Sequence, residues 1–216
     1  MPSRQPARCR RYQGEDAFMN RAKLFLWHWL SQGFLLLALS LWAGTVCAQE
    51  TTVELDPAKT RIEFALAATM HTVHGSFMLK SGTIYFNPST GSASGLVVVD
   101  AASGNTGNGG RDRKMHREII DSQRYPEITF TPTKFSGKFE RQGDSAVQVE
   151  GRFGIHGSEH SMTLVIPLQV KGNLVTGHAH VAVPYVAWGL KNPSTLFLHV
   201  SDTVEVDITA AGQLLP

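Results

Sequence analysis

The sequence contains little cysteine and little excess charge of either sign. Its 216 residues include two cysteines, Cys9 and Cys47, and 18% charged residues with a formal net charge of +2. Two cysteines exclude a disulfide-dense scaffold and any multi-cysteine zinc or iron–sulfur site. The near balance of charge argues against a nucleic-acid partner, which would require a basic surface.

The longest apolar run lies near the N-terminus. Positive charges within 20–23 precede the apolar stretch 24–43, and Val46-Cys47-Ala48 follows it. This order predicts a secretory signal peptide over residues 1–48, cleaved near Ala48. Met19 precedes the charged residues and is then the expected start, with 1–18 an extension of the gene model. A retained membrane anchor and lipidation of Cys47 are the alternatives.

Cleavage after Ala48 would leave residues 49–216, which contain no cysteine. Residues 1–48 hold six of the 20 Lys and Arg and two of the 18 Asp and Glu, so the remainder carries a net charge of −2. We therefore expect a periplasmic or secreted protein without thiol chemistry, without a nucleic-acid partner and without a stable membrane span. The sequence leaves a homodimer open.

Most of the remaining chain alternates apolar and polar residues, which indicates half-buried strands. Clusters of Gly, Pro and Asn between the runs indicate turns. Gly82 is predicted to be a bulge that changes which residues face inward. The predicted strands are 60–66, 77–86, 95–101, 127–131 with an extension over 134–141, 146–155, 161–170, 174–186 and 200–210.

One segment follows a helical period instead. After a Gly-rich loop at 103–110, residues 112–121 place Met115 and Ile119 on one side and charges on the other. This predicts a short amphipathic helix with Asp112 in its first turn. Many short antiparallel strands with one helix predict a mostly β fold, either a barrel or a sandwich. An eight-stranded barrel can be filled by side chains or can hold one ligand.

Several motifs, in this order, resemble the YceI-like family of periplasmic lipid-binding proteins. They are Asp56, Ile62-Glu63-Phe64, VHGSF at 73–77, GTIYFNP at 82–88, AASGNTGN at 101–108 with Arg111-Asp112, YPEITF at 125–130 and GRFGIHG at 151–157. The resemblance spans about residues 52–212. It implies an extended antiparallel, eight-stranded lipocalin-like β-barrel with one short flanking helix, and a long apolar pocket for polyisoprenoids, isoprenoid quinones or other long-chain amphiphiles.

The sequence departs from the family pattern at three places. EIID at 118–121 stands where the helix usually ends in aromatic residues, Val53 stands where the first strand usually has Trp, and VPYVAWGL occupies 183–190. These departures concern the ligand more than the fold.

The apolar residues that share one face of each predicted strand and of the helix form the predicted pocket wall. A helix N-terminus with Arg111 and Asp112 is the candidate head-group site, and the alternative is a solvated helix start with a structural Arg–Asp pair. The predicted wall consists of Ile62, Phe64, Phe77, Ile84, Phe86, Val97, Val99, Met115, Ile119, Ile128, Phe130, Phe153, Met162, Leu164, Val183, Tyr185 and Trp188.

The histidines raise an alternative, a metal site. His71 and His74 are three apart in an extended segment and would point to opposite faces. His178 and His180 share a strand face, but a metal site would need a third ligand such as His160, His199 or Asp202. We expect no bound metal or cofactor.

A hydrolase is the other enzymatic alternative, built on Ser103, Asp112 and His116, but nothing resembles a nucleophile elbow. Trp188, Tyr185, Phe197 and Leu198 cluster near one loop, where they form either the pocket mouth or a plug. The sequence favours a carrier that binds a long-chain isoprenoid or acyl lipid and is not an enzyme. The alternatives are a filled-barrel envelope interaction protein and a metal-dependent enzyme that uses His178 and His180.

Overall fold

A computed structural model describes residues 50–215, so the predicted signal peptide and start site lie outside the described residues. The described chain consists of nine strands and one short helix. The strands are β1 (Thr51–Leu55), β2 (Arg61–Ala67), β3 (Thr72–Asn87), β4 (Ser92–Asn105), β5 (Glu127–Lys138), β6 (Gly143–Ile155), β7 (Ser158–Lys171), β8 (Leu174–Val183) and β9 (Val204–Leu215). Helix α1 (Gly109–Lys114) continues into a π-helical turn, Met115–Ile119.

The strands form one closed antiparallel sheet. The order is β3-β2-β9-β8-β7-β6-β5-β4, and β4 pairs with β3 again. Strands β1 and β2 both pair with β3 and β9, one after the other, so they share one position in the ring. The prediction of an eight-stranded antiparallel barrel with one short helix is confirmed. Alternation did not predict strand β1, because five residues are too few to show the pattern, although the family resemblance implied a first strand at Val53.

A bulge in β3 changes which of its residues face the barrel interior. The register with β4 shifts between Leu79 and Ser81, so Lys80 is the extra residue. The prediction that the bulge lies at Gly82 is wrong by two positions. Gly82 has another role, since a Cβ there would lie 2.7 Å from the Leu55 side chain of β1. The predicted change of parity does occur, and the interior residues are Phe77 and Leu79 before the bulge and Ile84 and Phe86 after it.

The helix starts three residues before its predicted position at 112. The side chain of Asn108 caps it by accepting hydrogen bonds from the backbone N–H groups of Gly110 and Arg111, both at 3.1 Å. Asn is a favoured N-cap, but two glycines at the helix start are poor helix formers and conceal the boundary in the sequence. Asp112 lies in the first turn, as predicted.

The segment between β8 and β9 is not strand, although the sequence predicts strands over 174–186 and 200–210. Strand β8 ends at Val183, directly before Pro184, and β9 begins only at Val204. The apolar residues between them are buried by turns instead, as Tyr185 and Leu190 show. Tyr185, Leu190 and Leu198 of this long connection line one end of the barrel interior.

Candidate ligand-binding cavity

The barrel is hollow. A cavity of about 740 Å³ runs along its interior, a volume within the range of roughly 300–1,000 Å³ found for ligand sites. About 25 water molecules occupy such a volume in the liquid. The side chains that line it come from every strand and from the helix, and most of them are aliphatic or aromatic.

The structure places all but one of the predicted wall residues on this cavity. The lining set contains Ile62, Phe64, Phe77, Ile84, Phe86, Val97, Val99, Met115, Ile119, Ile128, Phe130, Phe153, Met162, Leu164, Val183 and Tyr185. Trp188 is the exception and packs elsewhere.

One end of the cavity is sealed by aromatic rings. Phe86 stacks on Phe135 with ring centroids 4.6 Å apart, and Phe139 meets Phe86 edge-on at 4.9 Å. Val53, Val170 and Leu214 belong to the same buried cluster. The side chains of this cluster are apolar, so they give this end of the cavity an apolar lining.

The polar lining groups lie mainly at the other end, which we call the mouth. They include His71 in the turn between β2 and β3, Thr106 after β4, and Arg111 and Lys114 of the helix. Lys114 donates a hydrogen bond through Nζ to the Pro193 carbonyl at 3.4 Å, so the helix and the 184–203 connection meet here. An amphipathic molecule would find apolar walls below the mouth and charge at it.

Tyr185 bridges the wall and the connection above it. Its ring lines the cavity, and its hydroxyl donates to the Ser201 carbonyl at 2.8 Å. Burial, with a smaller contribution from Asp202, raises the pKa of the phenol to about 12. Tyr185 therefore stays neutral and serves as a positioned apolar surface.

Trp188 packs on the first residues of β7. Strands β7 and β8 pair only between Leu168–Lys171 and Leu174–Gly177, and beyond this point they separate. Trp188 stacks on His160 of β7 with centroids 4.3 Å apart and planes within 3°, and it also contacts Phe153. It thus packs against the part of β7 that β8 does not pair with, while Tyr185 and Leu198 line the cavity and Phe197 is exposed.

The two candidate head-group residues have different positions. Arg111 lines the cavity, and its guanidinium donates to the hydroxyl of Thr106 at 2.7 Å and to its carbonyl at 3.1 Å. The Asp112 carboxylate does not line the cavity; it accepts from the backbone N–H of Thr106 at 3.0 Å and from its hydroxyl at 2.5 Å. These hydrogen bonds, with the nearby Arg111 and His116, lower the pKa of Asp112. Asp112 thus holds the loop that orients Arg111.

The candidate hydrolase residues do not form a triad. Ser103 donates to the Asp100 carbonyl at 2.6 Å and accepts from the Met78 N–H. His116 contacts the Gly104 carbonyl and the Ser122 hydroxyl, and Asp112 bonds to Thr106. Ser103, Asp112 and His116 are therefore not hydrogen-bonded to one another, and the hydroxyl beside His116 belongs to Ser122.

The paired histidines lie on the outside of the barrel. His178 contacts the Thr209 hydroxyl at 3.2 Å, whereas His180 contacts Asp207 at 2.7 Å and Glu205 at 3.2 Å. His74 is exposed, and His71 is at the mouth. Within residues 50–215 no group of three or more His, Cys, Asp or Glu side chains has the geometry of a metal site.

Several lining residues were not among the predicted wall residues. They include Val53 and Leu55 of β1, and Phe135 and Phe139 near the end of β5. Other lining residues alternate along the predicted strands 146–155, 161–170 and 200–210, and they are Val147, Val149, Ile166, Leu168, Val204, Val206 and Ile208. What the sequence missed was β1 and the length of the cavity, which extends to both ends of the strands.

A family model, the YceI-like domain, matches residues 54–211. The chain belongs to this YceI-like family. No curated protein sequence matches it significantly. No helix within the described range is both long and apolar enough to cross a bilayer.

Several solved structures have a similar fold. BcnA of Burkholderia cenocepacia is 17% identical, with a TM-score of 0.60 over 73% of this chain and 98% of BcnA. A polyisoprenoid-binding domain from Saccharophagus degradans, implicated in plant cell wall breakdown, is 16% identical, with a TM-score of 0.57 over 76% of this chain and 98% of that domain. The Campylobacter jejuni YceI protein is 21% identical, with a TM-score of 0.52 over 67% of this chain and 86% of that protein.

Proposed function

We propose that the protein is a periplasmic or secreted carrier that sequesters a long-chain amphipathic lipid in its barrel. The observation that carries this proposal is the apolar cavity of about 740 Å³, sealed by Phe86, Phe135 and Phe139 and lined by polar groups at its mouth. The ligand class is a polyisoprenoid, an isoprenoid quinone or a fatty-acid derivative, each with one long apolar chain and one polar end.

The affinity would come from burial of the chain and not from covalent chemistry. Each methylene group moved from water to an apolar wall contributes about 0.8 kcal/mol. A long chain therefore supplies most of the binding free energy, and a few polar contacts fix the head. The Saccharophagus domain supports this ligand class, since its structure is described as polyisoprenoid-binding and has the same fold.

Arg111 is the proposed head-group contact, with Asp112 as the residue that positions its loop. The guanidinium lines the mouth and would pair with a phosphate or carboxylate. A neutral quinone would gain less from it. Arg111 thus gives the pocket a preference among ligands that share the same chain.

The two alternatives of a filled barrel and an enzyme have less support. A filled interior leaves no cavity, whereas this one is large and continuous. The candidate catalytic groups are bonded to separate partners within the described chain. We therefore propose a binding role without a metal or cofactor.

The deciding experiment is mass spectrometry of an organic extract of the purified protein, beside a native mass spectrum that also shows whether it is a monomer or a homodimer. The proposal expects a stoichiometric prenyl or acyl species. A clean apo mass that persists after incubation with quinones and prenyl phosphates would overturn it.

A matched pair of variants tests the head-group contact. Arg111→Ala should weaken binding of a prenyl pyrophosphate more than binding of a quinone, while Arg113→Ala, an exposed neighbour that does not line the cavity, should change neither. Equal losses for both ligands with Arg111→Ala would count against a head-group role.

A further inference from the structure

The most exposed large apolar side chains of the described chain gather at one place, the cavity mouth. Met70, Leu196 and Phe197 are 90%, 85% and 89% exposed, more than any other large apolar residue described. Side chains that are this exposed do not contribute to the barrel core. We call these three residues the mouth patch.

Backbone geometry holds the mouth patch outward. The Ala68 N–H donates to the His71 carbonyl at 3.0 Å, which puts Met70 at the tip of a tight turn. In the same way the Thr195 N–H donates to the Leu198 carbonyl at 2.9 Å, with Leu196 and Phe197 between them. Each tip therefore projects its apolar side chains from a hydrogen-bonded base.

The two tips are joined to each other. The Thr69 N–H donates to the His199 carbonyl at 2.9 Å, and the His199 N–H donates to the Thr69 hydroxyl at 2.9 Å. Ala68, His71, Leu198 and Val200, which flank the tips, line the cavity. The mouth patch is thus a single fixed surface at the rim of the opening.

A cationic helix borders this surface. Lys114 reaches the Pro193 carbonyl, and Glu118 pairs with Lys191 at 3.2 Å, so the helix lies along the loop that carries Leu196 and Phe197. Arg113 and Arg117 are exposed on it. Residues 49–216 contain more acidic than basic residues, yet the helix and its π-helical turn carry more basic ones.

We propose that the mouth patch and its cationic helix dock the protein on an anionic lipid bilayer; this inference rests on the proposed carrier function. Apolar side chains on projecting tips enter the interface between head groups and acyl chains, and nearby cations are attracted to anionic lipids. A lipid that leaves the bilayer through the mouth would then reach the cavity without crossing water.

A bilayer fits this surface better than a protein partner does. The three side chains offer roughly 500 Å² of apolar area at most, because an aromatic side chain buries about 150–250 Å² and Met and Leu are smaller. A stable protein interface buries about 800 Å² on each partner. Two projecting tips beside an opening can also insert into lipid individually, whereas a protein partner would have to match the shape of both.

Vesicle flotation tests the docking surface. The protein is purified in the form that its host produces, and intact-mass spectrometry defines its N-terminus. It is then mixed with vesicles that contain phosphatidylglycerol or with vesicles of pure phosphatidylcholine. We expect flotation with the anionic vesicles, weakened by high salt. Leu196→Ser/Phe197→Ser should lower the bound fraction at least tenfold, and Arg113→Glu/Arg117→Glu should reduce anionic binding to the phosphatidylcholine level.

Matched variants control for composition and charge. Leu96→Ser/Val165→Ser removes two exposed apolar side chains from the barrel wall, and Lys138→Glu/Lys171→Glu reverses two charges near the sealed end. Both should float like the wild type. If Leu196→Ser/Phe197→Ser does not fold, Met70→Ser on the other tip replaces it. Wild-type flotation that is absent, or unchanged by the mouth variants, would overturn the proposal.

Binding of cis-parinaric acid in solution, without vesicles, separates the two proposals. Every variant of the flotation experiment should keep its affinity for parinaric acid, because none of the residues substituted there lines the cavity. Parinaric acid binding without vesicle binding would refute the docking surface alone. Vesicle binding without any parinaric acid or extracted lipid would refute the carrier function and leave a membrane-docking protein.

Discussion

The bulge at Lys80 determines which of two adjacent aromatic residues of β3, Tyr85 or Phe86, faces the barrel interior. Truncation of each side chain to Ala tests this assignment. Phe86 faces the interior, is 5% exposed and stacks on Phe135 and Phe139. Tyr85 faces outward and is 38% exposed. Without the bulge the two residues would exchange faces.

The cost of Phe86→Ala follows from its contacts. Burial of a Phe side chain contributes about 2–3 kcal/mol, and the lost ring contacts and the new void add about 1–2 kcal/mol. Because the void joins an existing cavity, we expect a loss of about 3–4 kcal/mol from the free energy of unfolding. A domain stability of about 5–15 kcal/mol leaves the variant folded. Tyr85→Ala should cost about 1 kcal/mol or less.

Urea unfolding followed by far-UV circular dichroism measures both variants. With a slope of about 2 kcal/mol per molar urea, Phe86→Ala should lower the midpoint by about 1.5–2 M. A loss below about 1 kcal/mol for Phe86→Ala would refute the aromatic seal. A loss for Tyr85→Ala as large as that for Phe86→Ala would refute the assigned faces.

Two further predictions concern the backbone and pH. Gly95→Ala should lose at least about 2 kcal/mol of unfolding free energy, because its φ is +121° and a Cβ would lie 2.1 Å from the Thr83 carbonyl oxygen. Gly107→Ala, with φ +74° and open space around it, should lose only about 1 kcal/mol. Urea unfolding midpoints compare the two variants, and equal losses would contradict the close approach at Gly95. The hydrogen bond to Asp207, with Glu205, raises the pKa of His180 above 6.5, so its stabilisation is present below that pH and is lost as pH rises through the raised pKa. His180→Gln should flatten this pH dependence, and an NMR titration that gives a pKa of 6.5 or lower for His180 would contradict it.

The barrel wall could be predicted from the sequence, because strand alternation directly encodes which side chains face inward. Ile62, Phe64, Met162 and Leu164 follow a strict period of two and line the cavity. Burial of one face imposes this pattern, so it needs no knowledge of neighbouring strands. Alternation alone could not predict the hollow interior, since a filled and a hollow barrel share the same alternation. The expectation of a pocket came from the resemblance to the YceI-like family.

The position of Trp188 shows a different limit. Its aromatic character and its place between Tyr185 and Leu190 suggested a wall residue. The structure instead stacks it on His160, a contact 28 residues away in sequence that depends on the separation of β7 from β8. Contacts made by a long connection depend on tertiary structure, and no local pattern encodes them.

Three departures from local sequence rules lie at the open end of the barrel. The helix begins with two glycines, it ends in a π-helical turn, and apolar residues at 184–203 that look like strand form turns. At the sealed end, by contrast, the buried Val, Leu and Phe residues of the core all lie in strands. Natural proteins break such rules mostly where function requires it, and π-helical turns are common at functional sites. The open end is also where the polar lining groups, the exposed apolar tips and the cations of the helix lie. The irregular backbone that makes this end hard to predict from sequence therefore coincides with the end through which the proposed ligand would pass.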